Sequence, residues 1–202
     1  MRIPPVVSVL SAVLLVSGSV LAGAGAASAG DVAGSCDLTA DPVSCPRAVL
    51  DGEDLRPYDL TGADLRYALM NAVVNDRGRM ASANLRGVNF VEAQMRRVDL
   101  SGANLRDVNL SIADLTGADL SRANLTGAEA PEVNLRGANL RGTNLTRAYV
   151  ADGTLRGADL TGADLTGAVL TGADLTGANL TGVRWTGAVC PDGSEGPYPC
   201  TS

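Results

Sequence analysis

From Leu55 to Trp185 a large apolar residue returns at almost every fifth position, in one frame that never slips. The centres run Leu55, Leu60, Leu65, Met70, resume at Met80 and Leu85, and continue through Phe90, Leu100 and Leu120 to Leu180 and Trp185. An α-helix returns a side chain to the same face about every 3.6 residues and a strand about every 2, so neither keeps a period of five on one face. The chain must turn a corner every five residues, which makes it a solenoid of stacked coils. Gly accounts for 24 of 202 residues, aromatics for 3%, and the chain holds no Lys and no His, so all its basic charge is Arg.

Around each centre the unit reads small-(Asp/Asn)-Leu-(Thr/Arg/Ser)-Gly, as in Ala138-Asn139-Leu140-Arg141-Gly142 and Ala163-Asp164-Leu165-Thr166-Gly167. These motifs resemble the pentapeptide-repeat family, over roughly two thirds of the chain. The resemblance implies an all-β fold, a right-handed quadrilateral parallel β-helix with four pentapeptides per coil. The centre and the Ala two residues before it would point inward and the other three positions outward. Residue chemistry agrees: Leu and Ala fill a narrow core, Asp and Asn suit tight turns, and Gly removes the Cβ penalty where the backbone bends. At a strand spacing of about 4.8 Å, about seven coils give a rod roughly 30 to 35 Å long.

The organisation expected is a secretory signal peptide at 1–29, an N-terminal disulfide cap at 30–49, the β-helix at 50–189 and a C-terminal disulfide tail at 190–202. Arg2 precedes an uncharged run from Val6 to Ala22, and Ala27-Ser28-Ala29 has the small-x-small form of a cleavage site. Cleavage after Ala29 makes the protein extracellular, without stable membrane insertion, and takes the net charge from −6 to −7. With the solenoid separating its ends by about 30 Å, the feasible disulfides are Cys36 with Cys45 and Cys190 with Cys200. Each loop sits where a terminal cap would block an open strand edge.

Residues twenty apart stack into ladders. Three faces are polar: Asp59, Asp99, Asp119 and Asp159 share one ladder with Asn139 and Asn179, and Asn84, Asn104, Asn124 and Asn144 form another. The fourth face carries Leu69, Val91, Ile112, Pro131, Tyr149 and Val169 beside Glu92, Glu129, Glu132 and Asp152. An apolar stripe with acidic neighbours on a polar rod is the candidate interaction surface. Stacked arginines, Arg66, Arg86 and Arg106 on one ladder and Arg56, Arg96, Arg136 and Arg156 on another, are expected to be solvated and offset by Asp64, Asp54 and Asp114. Two places strain the pattern. Residues 71–80 keep the frame with Asn75 at a centre, as a distorted coil or a loop, and Ala130 beside Pro131 is expected to mark a bulge or small cavity.

Catalysis has little to work with: no His or Lys supplies a base or amine nucleophile, and the Asp residues recur as repeat positions. No enzyme activity, cofactor, metal or nucleic-acid partner is expected. The reading is a secreted, non-enzymatic scaffold that binds a protein partner or itself. Two alternatives follow from the resemblance and from the ladders: a DNA-mimicking rod that engages gyrase or a related topoisomerase, and a surface binder presenting Thr126, Thr146, Thr166 and Thr186 to ice, mineral or polysaccharide.

Overall fold

The computed structural model describes residues 36–196 and 200; the leader read at 1–29 lies outside them. Every five residues the chain makes the same move. The carbonyl of a centre accepts the N–H of the residue three further on, as Leu65 does from Ala68 at 3.1 Å. The third residue of that turn takes a positive φ, 67° at Gly167 and 59° at Arg77, which is why Gly recurs there. The carboxylate or amide before the centre accepts the N–H two residues after it, as Asp119 does from Ser121 at 2.9 Å and Asp164 from Thr166 at 3.0 Å. Asp and Asn thus fasten the corner from outside.

Each centre then donates its N–H to the next coil, Leu120 to the Asn139 carbonyl at 2.8 Å. Parallel bridges join residues twenty apart from Ser44↔Asp64 to Val169↔Val189, so one coil is four pentapeptides and the fold is the expected right-handed quadrilateral β-helix. Centres and the small residues two before them are buried almost without exception, forming one continuous core from Leu38 to Cys200.

Residues 71–80 form two ordinary sides of a coil: Val74 bridges both Asp54 and Gln94, and Arg79 bridges both Asp59 and Asp99. Asn75 is fully buried, and neither Oδ1 nor Nδ2 has a hydrogen-bond partner. Its amide fits because the residue three further on is Gly78, where a Cβ would stand 1.9 Å from Asn75 Oδ1. The bulge expected at Ala130 does not form. Ala130 donates to the Tyr149 carbonyl at 2.8 Å and Glu129 bridges Tyr149 in register. A small centre there costs core volume and leaves the ladder intact.

Cys36 bonds to Cys45 with Cα atoms 5.2 Å apart, and Leu38 and Val43 seal the N-terminal end of the core. Cys190 bonds to Cys200 at 5.4 Å. Strand β1 (Ala188–Val189) pairs antiparallel with β2 (Glu195–Gly196). That hairpin covers the last coil on the fourth face only. On the other three sides the N–H groups of Leu175, Leu180 and Trp185 find no backbone acceptor among the described residues.

Candidate interaction face

The outward ladder of the fourth face is Val49, Leu69, Asn89, Asn109, Glu129, Tyr149, Val169 and Val189, joined rung to rung by parallel bridges. Leu69 is 42% exposed and Tyr149 46%, whereas Val169, and Val91 on the following corner, are half-buried. Asn89, Asn109 and Glu129 interrupt the apolar run. The continuous stripe read from sequence is therefore two patches, Val49 with Leu69 toward one end and Tyr149 with Val169 toward the other. Ladder spacing fixes which residues stack, but polar substitutions at three successive rungs divide the surface.

Ile112 stands between the patches on the corner after the fourth face, 55% exposed at φ 60°. A β-branched residue in the left-handed region is strained and gains little by being exposed there. Glu92, Glu132 and Asp152 occupy the equivalent rungs of that corner, with φ between 56° and 59°. Val49 and Tyr67 were not singled out by sequence reasoning, yet they belong to the same surface. Tyr67, on the corner before the fourth face, lays its ring where a Cβ on Gly87 would stand 2.5 Å from Tyr67 Cδ1. The glycine one rung above a tyrosine was the available signal. All the large apolar side chains exposed among the described residues, Val49, Tyr67, Leu69, Ile112 and Tyr149, lie on this face or its two corners.

Charge divides along part of this surface. No arginine of the described residues stands on the fourth face or its following corner, where Glu92, Glu129, Glu132 and Asp152 lie outside any ion pair, whereas Arg47, Arg66, Arg86, Arg106 and Arg147 share the preceding corner with Tyr67. Every ion pair among the described residues lies elsewhere, on Asp54, Asp59, Asp64, Asp76, Asp107, Asp159, Asp164 and Asp174. Arg56 pairs with Asp54 at 2.6 Å and Arg66 with Asp64 at 2.7 Å, as the ladders suggested. Arg96 takes Asp76 rather than Asp114, because Asp76 lies one rung below on Arg96's own ladder. Hydrogen bonds from the Arg56 side chain and backbone hold the Asp54 carboxyl down to about 2, and Thr161 with Arg141 does the same for Asp159. The hydroxyls of Thr126 and Thr166 donate to Asn124 and Asp164 of their own corners, so that ladder spends donors internally.

A family model described as pentapeptide repeats matches residues 79–111, 109–147 and 143–182, with 8 copies. Among solved structures, the chain is 32% identical to HetL, a pentapeptide repeat protein involved in heterocyst differentiation regulation in the cyanobacterium Nostoc, over 77% of this chain and 75% of that one, with a TM-score of 0.33. It is 22% identical to a trypsin-treated form of QnrB1, a plasmid-mediated fluoroquinolone resistance protein, over 74% of this chain and 72% of that one, with a TM-score of 0.47. It is 30% identical to a pentapeptide repeat protein of the Arabidopsis thaliana thylakoid lumen, over 58% of this chain and 68% of that one, with a TM-score of 0.34. No curated protein matches.

Proposed function

The chain belongs to the pentapeptide-repeat family, and from that premise we propose that it is a secreted, non-enzymatic β-solenoid whose fourth face binds a protein partner. The carrying observation is the confinement of the large exposed apolar side chains to one side of the rod. A polar rod gains nothing by keeping them in water, and patches of this kind mark interaction surfaces. Glu92, Glu129, Glu132 and Asp152, outside any ion pair and with no arginine on their own face or corner, define the complement: an apolar surface flanked by Arg or Lys. A second copy docked through the same face would bring acidic residues against acidic residues.

Secretion is supported by the leader sequence and by two disulfides, which persist in oxidising compartments. Among the described residues no helix is long and apolar enough to cross a membrane.

The test compares the disulfide-bonded protein with a Leu69→Ser, Ile112→Asn, Tyr149→Ser variant. Each is immobilised and exposed to envelope and culture-medium extracts of the producing cells, with sedimentation velocity run in parallel. Retention of a basic protein that is lost in the variant and weakened by salt is expected. Identical retention by both proteins, or salt-insensitive self-association in place of partner capture, refutes the reading.

A further inference from the structure

The corner between the first and second faces carries a second surface, unrelated to the apolar face. A concavity there is lined by Arg56, Asp76, Arg77, Arg96, Arg97 and Thr116. Arg56 is held by Asp54, and Asp76 is held by Arg96 through both guanidinium and backbone N–H. Arg77 and Arg97 stand on successive rungs of one ladder with no carboxylate in ion-pair range. Nowhere else among the described residues do two unpaired arginines occupy neighbouring rungs; Arg122 and Arg147, also unpaired, have glycines above and below.

The arrangement is costly twice over. Like charges about 4.8 Å apart repel. Both residues also hold a left-handed backbone, φ 59° and 56°, where the higher rungs of the same ladder carry Gly117, Gly137, Gly157 and Gly177. Glycine would remove both costs at once. Left-handed non-glycine residues recur at other corners, so what sets this concavity apart is uncompensated charge on two adjacent rungs.

We propose that this corner binds a chain-like phosphoryl anion, two non-adjacent phosphoryl groups of the chain held by the guanidinium forks of Arg77 and Arg97, with Arg56 and Arg96 at its margin. Guanidinium geometry matches phosphoryl oxygens bidentately, and the two end groups of a three-phosphoryl chain lying along the rod axis are far enough apart to meet successive rungs, which a single phosphate cannot do. On a chain of net charge −6 such a ligand is steered to this corner and away from the acidic fourth face.

Isothermal titration of the disulfide-bonded protein at low ionic strength tests this with two probes, inorganic phosphate and tripolyphosphate. The variant is Arg77→Gly with Arg97→Gly; glycine is the residue the higher rungs use, so the coil is retained, and melting temperature verifies it. The control is Arg122→Gly with Arg147→Gly, an identical change of charge and backbone type on other corners. Tripolyphosphate is expected to bind at least tenfold more tightly than phosphate, to lose at least tenfold in the Arg77/Arg97 variant, and to stay within twofold in the control. Absence of binding to the unaltered protein, equal affinity for the two probes, or equal loss in both double variants overturns the proposal, the last by reducing it to net charge.

Discussion

Replacing Asn75 by Leu is expected to stabilise the protein. Asn75 lies in a ladder of centres between Leu55 and Met95, fully buried, with Oδ1 and Nδ2 both unbonded. Each unpaired buried polar group costs about 1–3 kcal/mol, and leucine places methyl groups roughly where the two polar atoms sit. The branch fits because Gly78 leaves the space open. Allowing about 1 kcal/mol for imperfect packing, the net gain is about 1–5 kcal/mol, or about 2–20 °C in melting temperature for a domain of this size. Gly78→Ala tests the same contact from the other side. Its Cβ would meet Asn75 Oδ1 at 1.9 Å and Cγ at 2.3 Å, and overpacking of this kind costs about 1–3 kcal/mol. In an Asn75→Ala background that cost disappears, so the double-mutant cycle carries a coupling of about 1–3 kcal/mol. Urea unfolding followed by far-UV circular dichroism and by Trp185 fluorescence measures all five proteins: the parent, Asn75→Leu, Gly78→Ala, Asn75→Ala and the double variant. An Asn75→Leu protein that is no more stable than the parent refutes the argument, since it means the amide has found its hydrogen bonds.

Leu120→Asp places a carboxylate at a site with no solvent access and is expected to cost at least about 4 kcal/mol, whereas Ser121→Ala stays within about 0.5 kcal/mol; equal denaturation midpoints for the two would show that the centres are not core. Acid weakens the corners. Asp54 and Asp159 titrate at about 2 when folded, below their ordinary value, so their contribution is complete above about pH 4 and is lost as pH falls through 2. Asp159→Asn should therefore flatten the fall in denaturation midpoint between pH 4 and 2, and an unchanged slope would remove the Thr161 and Arg141 hydrogen bonds from the account.

The frame of the fold was open to reading because each pentapeptide repeats one local decision: bury Leu, bury Ala, fasten the corner with Asp or Asn, and turn through Gly. Residues that obey it, Leu120 or Ala163, need no tertiary information. Departures are another matter. Asn75 looked like a defect until Gly78 was seen to make room for its amide, a relation between side chains that a list of centres does not contain. Ala130 looked like a bulge because the sequence shows lost volume but not that backbone pairing with Tyr149 survives it. The fourth face was visible as a ladder, yet its division by Asn89, Asn109 and Glu129, and the strained exposure of Ile112, required solvent access and φ. Tyr67 is not legible in the same way because its pentapeptide centres on Leu65 of the third face, although its corner opens onto the fourth.

Because every coil is bonded only to the coil above and the coil below, the rod has no bond that spans its length, and this decides how it yields to mechanical load. Tension applied along the chain breaks the ladder one rung-set at a time, beginning at the terminal coil, whose N–H groups at Leu175, Leu180 and Trp185 have no further coil to hold them. Each event frees twenty residues, a gain of about 65 Å at about 3.4 Å per extended residue. The Cys190–Cys200 bond keeps its own loop from lengthening until it is reduced. A tether built this way pays out in near-equal steps, and its resistance depends on coil number only through total reach.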